Sequence, residues 1–269
     1  MTKLSPAIHP TAIIEDGATI GNSCKIGPYC CVGSDVTLDD SVILESHIVI
    51  SGKTFIGKGT KIWPFASVGS DPQDLKYAGE KTALTIGQHN LIRECVSISV
   101  GTDGGGGNTS IGNNCLFMLG SHVGHDCKLG DNIVIANNSA IAGHVTIEDN
   151  VNIGGLVGVH QFCRIGEGAM IGAHAMVSKD VIPFSLIVGM RPVLSGVNLV
   201  GLKRRGFSKD IIQDLRKAYG LLFSSQEGTL TDRVKEVSEE FLDNEPIQEI
   251  VKFLKSEKSR SICKPKNAN

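Results

Sequence analysis

Imidazoles and one carboxylate supply the first chemistry legible in this sequence. His122 and His125 lie close together, Asp126 directly follows His125, and His144 and His160 come at nearly even intervals beyond. Imidazole is the side chain whose ordinary proton exchange lies nearest neutral pH. Several rings brought together can take a proton from a hydroxyl as a general base. They can also bind a metal through three nitrogens, or merely hydrogen-bond along a surface. A neighbouring carboxylate can orient an imidazole and favour the tautomer that accepts a proton. The scaffold decides whether these residues meet.

That scaffold is written as a period of six. One aliphatic residue recurs from Ile8 through Ile14, Ile20, Ile26, Val32 and Leu38 to Val68. It resumes at Ile86, Ile92 and Ile98, and again from Ile111 and Phe117 to Val177. Such a period belongs neither to a helix nor to a simple alternating strand. Glycine often follows the aliphatic residue, and the slot four positions past it takes small or β-branched side chains, Cys115, Cys127 and Cys163 among them. We read these cysteines as small core residues. Hexapeptides of this kind resemble the left-handed parallel β-helix, in which three of them close a triangular coil of eighteen residues. Coils then stack at about 4.8 Å through parallel ladders. The fold class expected is therefore all-β, a left-handed parallel β-helix over residues 1–190, followed by an α-helical C-terminal domain over 191–269.

Two interruptions break the period, at about 70–84 and 99–110. The interior of a regular coil is filled, so a pocket must lie outside it, and loops thrown from a rigid scaffold are where function concentrates. The second interruption holds four successive glycines, Gly104 to Gly107, yet no Gly-Lys-Ser/Thr and no helix follows, which argues against a nucleotide phosphate loop. Past Val177, Pro183, Gly189 and Pro192 mark a connector. Asn198 then opens a helical region. Ser208 is expected to cap a helix carrying Ile211, Ile212, Leu215, Tyr219 and Leu222, ended by Gly228. Thr231 is expected to cap a third helix, and Asn244 with Pro246 a fourth. The basic, polar tail after Ser256 is expected to fray.

Bulk properties narrow the function. With 26 Lys and Arg against 28 Asp and Glu, the net charge is −2, which gives no field suited to nucleic acid. No apolar run is long enough to span a bilayer, and the first residues hold no apolar signal segment. A cytoplasmic protein is expected. The eight cysteines include no Cys-x-x-Cys pair, so neither a redox motif nor a zinc ribbon is indicated.

Eighteen residues per circuit put positions 125, 143 and 161 in one column. These are His125, Gly143 and Gln161, with His144 and His160 as immediate neighbours. None occupies the inward aliphatic slot. At Gly143 a substrate can approach the main chain closely, so its N–H can donate to a developing oxyanion. A surface role, base catalysis and metal binding, the last as in the zinc carbonic anhydrases built on this kind of β-helix, all remain open at this point.

Six separated segments carry a more specific likeness: Ile8-His-Pro-Thr-Ala-Ile, Asp71-Pro-Gln-Asp-Leu-Lys-Tyr, His122-Val-Gly-His-Asp-Cys, Ala142-Gly-His-Val, Val159-His-Gln-Phe-Cys and Gly201-Leu-Lys-Arg-Arg-Gly-Phe. In order and spacing the chain resembles the acyl-carrier-protein–dependent UDP-N-acetylglucosamine O-acyltransferases, which begin lipid A synthesis in Gram-negative bacteria. The resemblance runs from about residue 8 to residue 225. It implies that His125 is the general base toward the glucosamine 3-hydroxyl, supported by Asp126, and that the Gly143 N–H holds the oxyanion. It implies that Asp74 and Lys76 bind sugar and nucleotide from a neighbouring subunit, while His122, His144, His160 and Gln161 line the sugar and acyl site. Asn198, Arg204 and Arg205 are to meet the uridine diphosphate or the carrier protein, and Ala173 to set acyl length, favouring a long or intermediate chain. The donor carries its acyl group on the phosphopantetheine of acyl carrier protein. The resemblance calls for no metal and no other cofactor. It implies a homotrimer with sites between subunits, so that a one-chain pocket is hard to see.

The chain departs from that family at three places. Ser99-Val100-Gly101-Thr102 stands where His-Arg-Gly-Thr is common, Val200 where glutamate is frequent, and Arg191 where histidine is common. Two rivals share the scaffold. A different hexapeptide acyl- or acetyltransferase is set apart by the Asp71-to-Lys76 loop together with the helical tail; a zinc hydratase needs three imidazoles within metal reach.

Overall fold

The computed structural model describes residues 5–224, 228–256 and 259–266. Over most of this length the chain winds as a left-handed parallel β-helix, as the period of six requires. Its walls are three sheets of eleven, nine and eight short strands among the described residues, each wall taking every third strand in chain order until the eleven-stranded one ends in a hairpin. Most strands are two residues long, an outward residue followed by the inward aliphatic one, as in His122–Val123 and Ala140–Ile141. Register is kept coil after coil: His122 pairs with Ala140, Ala140 with Gly158, and Gly158 with Met176. The inward residues from Ile26 to Val177 are buried and fill the prism. Ile8 is exposed because it belongs to the open first coil.

The small slot behaves as its chemistry suggests. Cys115, Cys127 and Cys163 are buried, and the Cys127 thiol donates to the Ala142 carbonyl. Burial pushes these thiols up to about 11, about 12 and about 11 respectively. A thiol held protonated in this way is a poor nucleophile and a poor metal ligand at neutral pH.

The interruptions are narrower than their composition suggests. Strands Ala83–Ile86 and Asn108–Ile111 begin before the apolar period resumes and pair with each other. The chain therefore leaves the prism between Ser70 and Ala83 and between Ser99 and Asn108. The connector after Val177 holds a hairpin: Ser185–Val188 extends the eleven-stranded wall and Val193–Val197 returns antiparallel to it.

Four helices follow among the described residues. Asn198 caps α1 (Leu199–Arg204), accepting from the Gly201 N–H. Ser208 starts α2 (Lys209–Ser224), its hydroxyl accepting from the Ile211 N–H. The third helix, α3 (Leu230–Glu240), is capped by Thr229 rather than Thr231, because Asp232 sits three residues on and completes a reciprocal capping box. Asn244 caps α4 (Glu245–Lys255), with Pro246 in its first turn. The end of the α2 segment before Gly228 lies outside the described residues. Helices α2, α3 and α4 pack together over Leu215, Leu222, Val234, Val237, Ile250 and Leu254. Arg164 joins this layer to the prism, its guanidinium over the Phe253 ring at 4.3 Å.

The tail does not follow its composition. Residues 259–264 lie along the last coils, where the Asp180 N–H donates to the Ser261 carbonyl, the Cys263 N–H to the Asp180 carbonyl and the Leu194 N–H to the Lys264 carbonyl. Ile262 and Cys263 of this strap are buried. Two apolar side chains in a basic segment suffice to hold it. No helix among the described residues is long and apolar enough to cross a membrane.

Candidate active site

His125 follows strand His122–Val123 at one corner of the prism, and Asp126 turns that corner with φ +59°. The His125 Nδ1–H donates to Asp126 Oδ2 at 2.7 Å; a carboxylate only accepts, so the proton on this bond belongs to the ring. The Asp126 side chain is wholly buried. Its other bonds come from the second loop: the Thr102 N–H donates to Oδ1 at 2.9 Å and the Thr102 hydroxyl to Oδ2 at 2.6 Å. The Thr109 hydroxyl accepts from the Asp126 N–H at 2.8 Å. Gly105 lies so close to this carboxylate that a Cβ there would meet it at 2.0 Å. The glycine run lets the loop close over an aspartate. With Nδ1 committed, His125 Nε2 is left as the proton acceptor.

Directly along the column lies Gly143, where a Cβ would meet the His125 ring at 2.5 Å. Only glycine lets the ring rest on the next coil. The Gly143 N–H finds no acceptor among the described residues. His144 meets the His125 ring edge-on at 4.9 Å and stacks on Phe162 at 4.5 Å. Its Nε2 lies 3.9 Å from Asp126 Oδ2. Burial holds His144 below the ordinary histidine value, with the nearby His125 acting in the same direction and Asp126 and Asp74 against it.

A cavity of about 990 Å³ opens on this edge, lined among others by Ser99, His122, His125, Gly143, His160 and Gln161. A pocket is thus formed within one chain, contrary to the expectation that it would be hard to see without a neighbour. His122 lies within hydrogen-bond distance of Ser97, Nδ1 to Oγ 2.8 Å. Burial first, and the charge of His125 second, hold His122 below its ordinary value. The floor is small: Ala140, Ala142 and Gly158 leave width between Met176 and the histidines. The departing residues Ser99 and Arg191 both stand on this lining.

The other expected residues are distributed differently. Asp74 reaches His125 of its own chain, Oδ2 to Nε2 4.0 Å, whereas the resemblance has this loop serving a neighbouring subunit. Lys76 is exposed, its N–H donating to the Asp74 carboxylate. His144 backs His125 rather than lining the cavity. Ala173 is exposed and outside the cavity lining. Asn198 is buried and spends both ends of its amide on the fold, accepting from Gly201 and donating to the Gly168 carbonyl. Arg205 pairs with Glu167 and lies over Phe184 and Phe207; Arg204 is exposed at the end of α1. Val200 is exposed.

Donor atoms of His125, Asp126 and His144 all lie within 4.8 Å of one another. A zinc ion would need each at about 2.0–2.1 Å. The Asp126 oxygen nearest both rings already accepts from His125 and from Thr102. The bonding of this set suits the orientation of a base better than the ligation of a metal.

Sequence reasoning missed Thr102, Thr109, Phe162 and Arg260. Phe162 was open to discovery, standing eighteen residues after His144 and thirty-six after Asp126. Thr102 and Thr109 were hidden because the path of an inserted loop follows from no period.

A family model described as UDP N-acetylglucosamine O-acyltransferase, domain 2, matches residues 180–263. A bacterial transferase hexapeptide model matches 108–143 and 144–179. The acyl-(acyl-carrier-protein)–UDP-N-acetylglucosamine O-acyltransferase of Rickettsia canadensis is 50% identical over 256 residues, covering 95% of this chain and 97% of that protein. That of Rhizobium johnstonii is 44% identical over 261 residues, covering 97% and 96%. Among solved structures, the UDP-N-acetylglucosamine O-acyltransferase of Moraxella catarrhalis superimposes with a TM-score of 0.92 at 41% identity, covering 96% of this chain and 99% of that one. The UDP-N-acetylglucosamine acyltransferase of Francisella novicida gives 0.93 at 35%, covering 97% and 95%. With identity of this order along nearly the whole chain, on both the prism and the helical layer, the chain belongs to the acyl-(acyl-carrier-protein)–UDP-N-acetylglucosamine O-acyltransferase family.

Proposed function

We propose that this protein transfers a 3-hydroxyacyl group from acyl carrier protein to the glucosamine 3-hydroxyl of UDP-N-acetylglucosamine, the opening step of lipid A synthesis. The observation that carries the mechanism is His125, fixed through Nδ1 by buried Asp126 and resting on Gly143 at the cavity. His125 Nε2 takes the hydroxyl proton as the sugar oxygen attacks the thioester carbonyl. The Gly143 N–H donates to the oxyanion, an interaction that strengthens as charge develops. Collapse breaks the carbon–sulfur bond, and the imidazolium returns its proton to the departing phosphopantetheine thiolate. Asp126 stabilises the imidazolium between those steps. Asp74 Oδ2 lies 4.0 Å from Nε2, so a sugar hydroxyl set beside the pair can donate to one and meet the other. Lys76 and Arg204 are free to meet diphosphate or the acidic carrier protein. Neither proton step needs a metal or a cofactor held by the protein.

We place the reaction in the cytoplasm and assign the working form as a homotrimer. For the trimer, Ile13, Tyr29, Val49 and Phe65 lie exposed along the first coils of the nine-stranded wall and the turns entering it, and Leu156 and Met176 along its last coils, two apolar patches suited to a second copy. The same contact would have to cover Ala173 for it to sense acyl length. Sedimentation of the purified chain tests the trimer. Mass spectrometry of products from UDP-N-acetylglucosamine with a panel of hydroxyacyl carrier proteins, set against the matching coenzyme A thioesters, tests the reaction. Transfer from coenzyme A alone would reject the carrier-protein reading. Activity lost on chelation and restored by zinc would favour the hydratase-like alternative.

A further inference from the structure

The C-terminal strap ends its path against the cavity. Arg260 Nη2 lies 2.9 Å from His160 Nδ1, and its Nε donates to the Gln161 carbonyl at 3.2 Å. The Ser259 hydroxyl donates to the Phe162 carbonyl at 2.8 Å. Three consecutive residues of one corner are thus read by two residues of the strap. The strap is fixed on its far side by Asp180, which pairs with Ser261 and Cys263 through the backbone and binds Arg164 through its carboxylate. Cys263 also forms part of the cavity wall.

A guanidinium has donors and no acceptor. When Arg260 donates to Nδ1, that nitrogen must carry the lone pair, and the ring proton must sit on Nε2. Nδ1 also lies 3.2 Å from the Gln161 carbonyl, but a proton there would set an N–H against the Arg260 Nη2–H at the shorter 2.9 Å contact. His160 is therefore the reverse of His125. In His125 a carboxylate holds the proton on Nδ1 and leaves Nε2 as an acceptor; in His160 a guanidinium claims Nδ1 and leaves Nε2–H as a donor. We propose that Arg260 is a positioning residue of the acyl-transfer site: it holds His160 as the neutral Nε2–H tautomer, so that this ring donates to a carbonyl oxygen of the acyl donor in the cavity. The proposal rests on the acyltransferase reading for its consequence, not for its tautomer.

The test uses the full-length protein with 15N-labelled histidine. Two-bond proton–nitrogen spectra should show His160 protonated on Nε2 alone, and Arg260→Gln should give a mixture of tautomers. Protonation on Nδ1, or a spectrum unmoved by Arg260→Gln, would overturn the assignment whatever the enzyme does. In the transfer assay Arg260→Gln should lower kcat/KM about tenfold, the scale of one lost hydrogen bond to a charged group, and Arg260→Lys should restore part of it. His160→Gln keeps an N–H near the Nε2 position and needs no tautomer. In that background Arg260→Gln should have no further effect, whereas a strap that only holds the fold together would cost the same factor in both. Wild-type protein that fails to transfer would reject the acyltransferase reading, and the nitrogen spectra would still judge Arg260.

Discussion

Two corners of the prism share one backbone and differ in what they carry. At one, positions 114, 132, 150 and 168 hold Asn, Asn, Asn and Gly, all at positive φ near +60°. At the other, positions 126, 144 and 162 hold Asp, His and Phe at φ +59°, +61° and +64°. The left-handed region costs an ordinary residue about 1–2 kcal/mol, and asparagine and glycine least. Over these four coils the first corner carries residues that suit it and closes on itself, the Asn113 N–H donating to Asp131 and the Asp131 N–H to Asp149. The second keeps a phenylalanine that this backbone disfavours, stacked on a histidine that meets His125. The contrast is local to these coils, since Tyr29, Phe65, Leu156 and Phe184 also stand at positive φ elsewhere on the prism.

Exchanging chemistry at each corner tests this contrast. His125→Ala should lower transfer by about 10²–10⁴-fold, the usual worth of a positioned base, without lowering the melting temperature. Asn132→Ala should do the opposite, leaving transfer intact and costing about 1 kcal/mol of stability, read by thermal denaturation. If both variants lost activity alike, the two corners would not differ in kind.

Asp126→Asn comes next. An amide offers one acceptor oxygen where the carboxylate offers two, and Asp126 uses both against Thr102 and His125. The amide N–H would face a donor or turn the imidazole to its wrong tautomer. A fall in kcat of about 10²-fold or more is expected, with KM nearly unchanged. A loss confined to KM would mean that Asp126 shapes the pocket and not the base.

These residues were legible to different degrees, for physical reasons. The period of six exposes the prism because a charge at Ile135 or Ile153 would be buried without a partner. Coil register then carries His125, Gly143 and Gln161 onto one edge with no further assumption. The same reasoning finds no Thr102, since its bond to Asp126 crosses an inserted loop. It misreads the tail, where Ile262 and Cys263 are too few to make a pattern yet enough to anchor a strap. It names Asn198 and Arg205 as ligands from their motif, although the fold claims the Asn198 amide for an N-cap and the Arg205 guanidinium for Glu167.

Glycine gives a smaller and cleaner contrast. A methyl on Gly143 would strike the His125 ring, whereas one on Gly158, on the same wall of the cavity, would meet nothing within 4 Å. Gly143→Ala should cost up to about 10²-fold in kcat by displacing the ring. Gly158→Ala should leave kcat near wild type while raising KM for bulky donors. Equal kinetics in the two variants would remove the steric reason for glycine at 143.

The smallest effect is on stability against pH. His122 and His144 are both held below the ordinary 6.5, burial being the first cause in each. The unfolded chain therefore binds these protons more readily than the folded one. Where the unfolded state carries more protons, stability rises with pH. Both groups are neutral in either state well above 6.5 and contribute nothing there. As the pH falls below 6.5 the unfolded chain charges first, and the fold loses stability until the folded histidines are protonated too. His122→Asn, which retains a polar atom near Ser97 Oγ, should make the decline in melting temperature between pH 7 and pH 5 shallower than in the wild type. An unchanged slope would mean that the acid sensitivity of this fold comes from its carboxylates and that His122 is solvated in its native place.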